Sequence, residues 1–289
     1  MSATYILESV ISGILLGGIY ALLGVGFSLT WGTMQVLNIS HAAFAVMGAY
    51  IAYWVFVKVG IDPLFTLPLI VVLLFTLGGV VYNLVIRRVL KAKDVIMASM
   101  VATFGITYVL ENGMSCFWHT DPRVLKPSYT RSSFFMGEMV ISKGPLIGFA
   151  IAVMAIALIY FFLYHTYTGK AVQATWQNPT GAALVGINPE RVTLITFGLS
   201  TASAGVAGVA MALIYAFYPS VQMHWTLLVF LVTIVGGVGS ILGIASAGLL
   251  IGLIIGISAS FLPFVWVNVV LFALLMFILF FKPEGLFGV

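Results

Sequence analysis

Charge is what this sequence has least of. Asp, Glu, Lys and Arg make up 7% of its 289 residues, against about 25% in an ordinary soluble domain, so the chain lacks the surface that water would have to solvate. No charged residue stands between Glu8 and Lys58, and none in the ninety positions between Arg191 and Lys282. Cysteine is nearly missing too. Cys116 is alone, which excludes an intrachain disulfide and a cysteine-based metal cluster. The four histidines, His41, His119, His165 and His224, are scattered and no HExxH occurs, so no metal site is expected. GxxxxGK[ST] is also absent: Gly169-Lys170 is followed by Ala171, and Tyr164 stands where the first glycine belongs, which excludes a P-loop. Gly239-Ser240 lacks the flanks of a nucleophile elbow. No stretch is polar enough for a soluble domain, so residues 1–289 are expected to form one transmembrane domain, with any ATP-hydrolysing module on another chain. The first apolar run has no basic region before it and no small-residue cleavage site, so it is expected to be a retained helix rather than a signal peptide.

What the sequence has is hydrocarbon: 62% hydrophobic residues and a mean hydropathy of +1.18. A spanning helix needs about 20 apolar residues, and backbone groups in lipid must be satisfied by a helix or a closed barrel. The runs do not alternate with period two, so helices are expected. They cover roughly Ile6–Trp31, Ile39–Val57, Leu64–Ile86, Val95–Trp118, Leu146–Tyr164, Val192–Phe217, Leu227–Leu262 and Phe264–Phe281. The seventh run is too long for one ordinary span and is interrupted by Gly236, Gly237 and Gly239. It reads as two short spans or as a span plus a half-helix, which makes eight or nine crossings. The fold class is an all-α integral membrane protein, a polytopic bundle with broken or re-entrant segments.

Arg87, Arg88, Lys91 and Lys93 crowd one loop with Asp94 opposing. Excess Lys and Arg favour the cytoplasm, so that loop, the polar stretch 166–191 and Lys282 are expected inside, and the loop 119–143 is expected to be periplasmic despite Arg123, Lys126, Arg131 and Lys143. The net charge of +4 lies in loops beside apolar runs, which fits membrane orientation and not nucleic-acid binding. Gly13 with Gly17, and Gly248, Gly252 and Gly256, repeat at helix-packing spacing. They serve intrachain packing or, as the sharper alternative, a subunit interface.

Polar groups inside lipid are costly and mark candidate sites. Gln35, Asn38, Ser40 and His41 lie between the first two runs and read equally as a broken helix near the midplane or as a short surface loop. Glu111 and Asn112 sit late in the fourth run, as interfacial groups or part of a proton relay. Asn268 is expected to hydrogen-bond another helix. In Thr168–Arg191 a short helix opening near Pro179 would gather Ala182, Ala183 and Gly186 on one face, the kind of small-residue face a docking helix needs.

These strings resemble one family, the membrane-spanning permease subunits of ABC importers for branched-chain and other hydrophobic amino acids. GGIYALLGVGFSLTWG (Gly17–Gly32) and LNISHAAFAVMGAY (Leu37–Tyr50) are similar to its opening pattern, with Asn38, His41, Gly48, Ala49 and Tyr50 fitting and Ser40 and Ala42 departing from it. GKAVQATWQNPTGAALVGIN resembles its cytoplasmic coupling segment, with Gly169, Ala174, Asn178, Ala182, Gly186, Ile187 and Asn188 matching and Lys170 and Gln173 standing where Arg is commoner. TFGLSTASAGVAG, VGGVGSILGIASAGLLIG and the ending KPEGLFG (Lys282–Gly288) are similar to its late helices and tail. The resemblance implies a second permease chain, homologous or identical, two cytoplasmic ATPase subunits carrying ATP and Mg, and a periplasmic substrate-binding protein, all at a bacterial inner membrane. It implies a non-catalytic chain that binds no cofactor itself, with Asn38, Ser40 and His41 near the pathway and Gly169, Ala174, Asn178, Ala182, Ala183, Gly186, Ile187 and Asn188 at the ATPase. The same pattern serves leucine-like amino acids, urea, short amides and aromatic acids.

The competing readings are an ATP-independent channel or secondary transporter and a structural or assembly subunit without a pathway, which the Gly-rich faces would suit equally. Asn178-Pro179 and Asn188-Pro189 stand ten residues apart in one loop, which is wrong for the paired half-helices of an aquaporin-like channel. A proton-coupled carrier would want paired intramembrane charges, and the long uncharged stretch argues against it.

Overall fold

Helices dominate because a chain in hydrocarbon must pair its backbone N–H and C=O groups within each segment. The computed structural model describes residues 3–136, 139–282 and 284–287. In chain order it places α1 (Ala3–Met34), α2 (His41–Val59), α3 (Pro63–Val89) and α4 (Val95–Trp118). A short antiparallel pair follows, β1 (Ser133–Met136) on β2 (Met139–Ser142), with Ser133 opposite Ser142. Then come α5 (Lys143–His165), α6 (Tyr167–Gln177), α7 (Pro179–Leu184), α8 (Pro189–Ala212), α9 (Gln222–Gly236), α10 (Ile241–Phe261) and α11 (Phe264–Phe281). Among the described residues, eight helices are long and apolar enough to cross a membrane, α9 together with the Pro219–Val221 turn before it, and Val265–Phe281 is a shorter ninth apolar helix. The long run Leu227–Leu262 therefore resolves into two helices, parted where Gly237 and Gly239 take φ of +83° and +105°. Gly137 and Glu138 of the expected loop 119–143, and Pro283 and Gly288 of the tail Lys282–Gly288, lie outside the described residues.

Short polar side chains set the helix starts by accepting the free N–H groups of the first turn. Asp62 caps α3 ahead of Pro63, Asp94 caps α4, Thr166 caps α6 and Ser240 caps α10. The two Asn-Pro pairs do the same: Asn178 Oδ1 accepts from Gly181 N at 2.8 Å and Asn188 Oδ1 from Arg191 N at 3.2 Å. Each proline fills the first helical position, where a missing N–H costs nothing.

The bundle has two faces. On one, Arg87 pairs with Glu190 at 2.8 Å, joining the end of α3 to the start of α8, and residues 35–40, 166–188 and the α9–α10 turn gather there. Leu286 also returns to this face, donating its N–H to the Val235 carbonyl at 2.8 Å. On the opposite face Glu8 accepts from Val140 N at 2.6 Å, Tyr129 donates to Asp62 at 2.9 Å, and Arg123 and Phe217 exchange two backbone hydrogen bonds at 2.9 Å. The sixth apolar run stops as a helix at Ala212, short of Phe217, because residues 213–218 turn to meet Arg123.

The centre is built from small residues. In lipid no hydrophobic drive pulls helices together, so dispersion at close backbone approach has to do it. α8, reading TFGLSTASAGVAGVAMA over its buried length, touches α1, α2, α3, α5 and α6. A methyl group on Gly48 of α2 would lie 2.5 Å from the Gly205 Cα, and one on Gly208 would overlap the Ala45 carbonyl. α1 and α10 make the most extensive contact in the molecule. A methyl on Gly13 would lie 2.6 Å from the Gly252 carbonyl oxygen and one on Gly17 2.7 Å from that of Gly248, while Gly256 abuts Ser9 and Gly13. Both glycine ladders are thus covered within the chain, which removes them as a face for a second subunit. Gly236 likewise lies against Ile244 at the start of α10.

Candidate functional site

The break between α1 and α2 is where chain direction and polarity change together. Gln35 takes φ of +52°, turning the chain out of α1, and His41 opens α2 beside Gly26 and Ser203. By helix rise, Gly26 lies about 12 Å back along α1 from Met34. This segment is a short loop on the Arg87 face, exposed at Gln35 and buried at Asn38 and Ser40. Asn38 and His41 are 1% exposed and Ser40 is fully buried. Its backbone is satisfied by α4: Ser99 Oγ accepts from Leu37 N at 3.0 Å, and Thr103 Oγ1 accepts from Ile39 N and donates to the Leu37 carbonyl, both at 3.0 Å. Within the knot Ser40 Oγ donates to Asn38 Oδ1 at 2.6 Å, Ser200 Oγ lies 3.3 Å from His41 Nδ1, and Phe27 meets the imidazole edge-on at 6.0 Å. Within this knot Asn38 Nδ2 and His41 Nε2 have no hydrogen-bond partner among the described residues. A buried polar group left dry and unpaired costs about 1–3 kcal/mol.

The 166–191 stretch folds as α6, α7 and the cap of α8. Gly169 seats α6 against the end of α5, where a methyl would overlap the Phe162 carbonyl, and Gln173 Nε2 donates to the Leu163 carbonyl at 2.9 Å. The expected grouping of Ala182, Ala183 and Gly186 on one helical face does not form. α7 stops at Leu184, and Gly186, at φ of +87°, ends it, with Ile187 N bonding the Ala182 carbonyl at 3.0 Å. That i to i−5 bond around a left-handed glycine is a Schellman-type stop. Ala182 turns inward and Ala183 outward, Ala174 is half-buried, Asn178 and Asn188 are caps, and Ile187 packs on the core. Two large apolar side chains project among the exposed polar ones: Leu184 is 84% and Val185 77% exposed.

The opposite face is tied by Arg123. Its guanidinium donates to the Trp118 carbonyl at 2.9 Å, capping the end of α4, and lies over the rings of Tyr53 and Trp54 at 5.3 and 4.9 Å. Tyr50 stacks on Trp118 at 4.8 Å. A cation at a helix C-terminus offsets the partial negative charge there, which accounts for Arg123 without a ligand. Glu111 accepts from Gln222 Nε2 at 3.1 Å, and Asn112 turns back on its own helix to the Tyr108 carbonyl at 2.8 Å. Burial first, and then the Asp62 carboxylate that its hydroxyl bonds, push the Tyr129 phenol well above its ordinary range.

A cavity of about 200 Å³ opens on this side, lined by Tyr20, Tyr215, His224, Trp225 and Asn268 among others. Asn268 is exposed there and no described residue hydrogen-bonds its side chain, so the expected interhelical bond is absent. No Asp, Glu, Lys or Arg lines this cavity, so both charges of a zwitterion would go unpaired inside it. None of the five described cavities is lined by Asn38, Ser40 or His41. Among the described residues no three His, Cys, Asp or Glu converge as a metal site.

Sequence reasoning missed Ser99, Thr103, Arg123 and Trp176. Hydroxyls at 99, 103 and 107, one helical turn apart in an apolar run, were the readable signal for the first two. Arg123 offered only its loop position.

The family model described as branched-chain amino acid transport system / permease component matches residues 9–279. The high-affinity branched-chain amino acid transport system permease protein LivH of Escherichia coli K12 is 26% identical over 298 residues, covering 98% of this chain and 96% of that protein. BraD of Pseudomonas aeruginosa, named for the same transport system, is 25% identical over 295 residues, covering 98% and 95%. The probable branched-chain amino acid transport permease protein LivH of Methanocaldococcus jannaschii is 28% identical over 256 residues, covering 87% and 79%. No solved structure matches the chain.

Proposed function

The chain belongs to the family of branched-chain amino acid transport system permease components, and from that premise we propose that it is the membrane-spanning subunit of an ATP-driven importer. Residues 1–289 act as one transmembrane permease domain. With a second permease, homologous or identical, the chain forms the pathway for a small solute, a branched-chain or other hydrophobic amino acid or a related amide, urea or organic acid. Two ATPase subunits, which carry the ATP and Mg, dock on the face of Arg87, Arg88, Lys91 and Lys93. That face is cytoplasmic by its excess of Lys and Arg, at the inner membrane of a bacterium. A substrate-binding protein delivers solute to the Arg123 face.

The observation that carries this reading is the α6–α7 segment on the basic face. Leu184 and Val185 project at the end of α7, which packs on α6, itself braced on α5, and large apolar side chains held out in water mark a docking site. Gly169, Ala174, Asn178, Ala182, Ala183, Gly186, Ile187 and Asn188 shape and hold that segment. Asn38, Ser40 and His41, with their two orphaned polar atoms, mark where the pathway opens when the helices part.

Expression with its partners, followed by ATPase assay in lipid, tests the proposal. Two ATPases and a second permease should co-purify, and solute-loaded binding protein should stimulate hydrolysis. A chain that purifies alone and moves solute into liposomes without ATP would instead be a channel or secondary transporter. Gly186→Val sharpens the test, because a β-branched residue at that φ costs about 1–2 kcal/mol, roughly a 10-fold shift in the docked population. Uptake should fall about that much while basal hydrolysis persists.

A further inference from the structure

Trp176, the next-to-last residue of α6, fills a notch whose walls are two glycines from distant parts of the chain. One is Gly32, two residues before the end of α1, and the other is Gly239 in the turn between α9 and α10. A methyl group on Gly239 would lie 2.6 Å from Cζ2 of the indole, and one on Gly32 would overlap the ring. No side chain larger than hydrogen fits at either wall while the indole is in place. The two walls are also joined to each other, since Gly239 N donates to Ser28 Oγ, one turn before Gly32, at 3.4 Å.

Each wall leads to a place where the backbone can change direction. Beyond Gly32 the chain leaves α1 at Gln35 and enters the buried knot of Asn38, Ser40 and His41. Gly239 belongs to a turn with two left-handed glycines, and the tail closes on its other side: a methyl on Gly285 would lie 2.6 Å from the Gly237 Cα, and one on Gly243 2.6 Å from the Phe287 Cβ. The α6 helix that carries Trp176 is braced by its own contacts with α5 through Gly169 and Gln173. α6 meets the bundle at α1, α5 and α8, and Trp176 is its side chain that stands against both Gly32 and Gly239.

We propose that Trp176 is the positioning residue that transmits movement of the α6–α7 segment to the α1–α2 break and the α9–α10 turn. This rests on the reading of that segment as the ATPase dock, and the experiment separates the two. In the assembled complex, with Cys116 replaced by serine, single nitroxides are placed at the exposed positions Leu184 and Gln35, and their mobility is followed on adding a non-hydrolysable ATP analogue with Mg. Both labels should respond in the otherwise native chain. In Trp176→Ala the label at 184 should still respond, the label at 35 should fall silent, and uptake should drop at least tenfold while basal ATP hydrolysis stays within about twofold. Trp176→Phe should restore most of the response at 35, because an aromatic ring still reaches both walls. Gly32→Ala should impair uptake in the native background, and Gly32→Ala combined with Trp176→Leu should recover uptake relative to Gly32→Ala alone, since the smaller side chain makes room for the methyl. A label at 35 that responds normally in Trp176→Ala overturns the proposal and leaves the docking assignment intact. A label at 184 that ignores nucleotide in the native chain overturns the docking assignment, and the proposal with it.

Discussion

α8 and α4 are similar in length and both cross the bundle, yet they are held by opposite means. In its apolar stretch 83% of the residues of α8 are buried within the chain, against 17% of those of α4. α8 is packed by glycine, alanine and serine against four other transmembrane helices, at distances that leave no room for a methyl group. α4 touches few neighbours and is fastened by directional bonds, its Ser99 and Thr103 hydroxyls to the α1–α2 break, Glu111 to Gln222, and its last carbonyl to Arg123. Close packing resists any displacement, because every contact weakens together. A few hydrogen bonds at the edge of a helix can break and reform one at a time. The contrast separates a fixed frame of α1, α2, α8 and α10 from a helix hung on it.

The largest expected effect tests the frame against the hung helix directly. Gly252→Leu drives a side chain into Gly13 and Gly17 and should cost more than about 3 kcal/mol, seen as loss of monodisperse protein and of the thermal transition in detergent. Gly105→Leu, on α4 where a methyl meets nothing within 4 Å, should change stability by less than about 0.5 kcal/mol. Equal losses in the two variants would erase the distinction. A smaller effect isolates the hydroxyl bonds: Thr103→Val keeps the shape but leaves Ile39 N without its acceptor, at about 1–3 kcal/mol. Hydrogen exchange should accelerate at residues 37–39 and along α4 while α8 stays protected. Faster exchange in α8 as well would mean that the two helices open as one unit.

The smallest effect concerns the loop that joins the outer ends. Tyr129→Phe removes the bond to Asp62 and should cost about 1 kcal/mol, read as exchange of residues 119–131. Because the folded state raises the Tyr129 phenol above its unfolded value near 10, that contribution is complete below about pH 10. It is lost as pH rises from there through the folded value. The native chain should therefore lose loop protection in strong alkali more steeply than Tyr129→Phe, and parallel pH profiles would show that the bond does not form.

Most of the spans were legible, because a run such as Val95–Trp118 or Leu146–Tyr164 announces a span by length and hydropathy alone. Pro179 likewise marked a helix start, since a capping side chain and a proline act within one turn, whereas the helix that Asn188-Pro189 opens was expected only from Val192. What the sequence did not show depends on distant partners. Whether residues 35–41 are buried is decided by Ser99 and Thr103, more than sixty positions away. The spacing of Ala182, Ala183 and Gly186 suggested one helical face, but a glycine near the end of a short helix stops it more readily than it extends it. Nothing in the spacing around Trp176 marks it, and only the placement of Gly32 and Gly239 gives it walls.

The ladder between α1 and α10 also sets a schedule for biogenesis. Gly13 meets Gly252 and Gly17 meets Gly248, partners 239 and 231 positions apart. At about 5–20 residues per second of synthesis, the first helix waits roughly 10–50 s in the bilayer before its mate emerges. Throughout that interval its glycine stripe is open to any other helix that wants close contact. A ribosome stalled before residue 241 would leave the stripe without the helix that covers it in the folded chain.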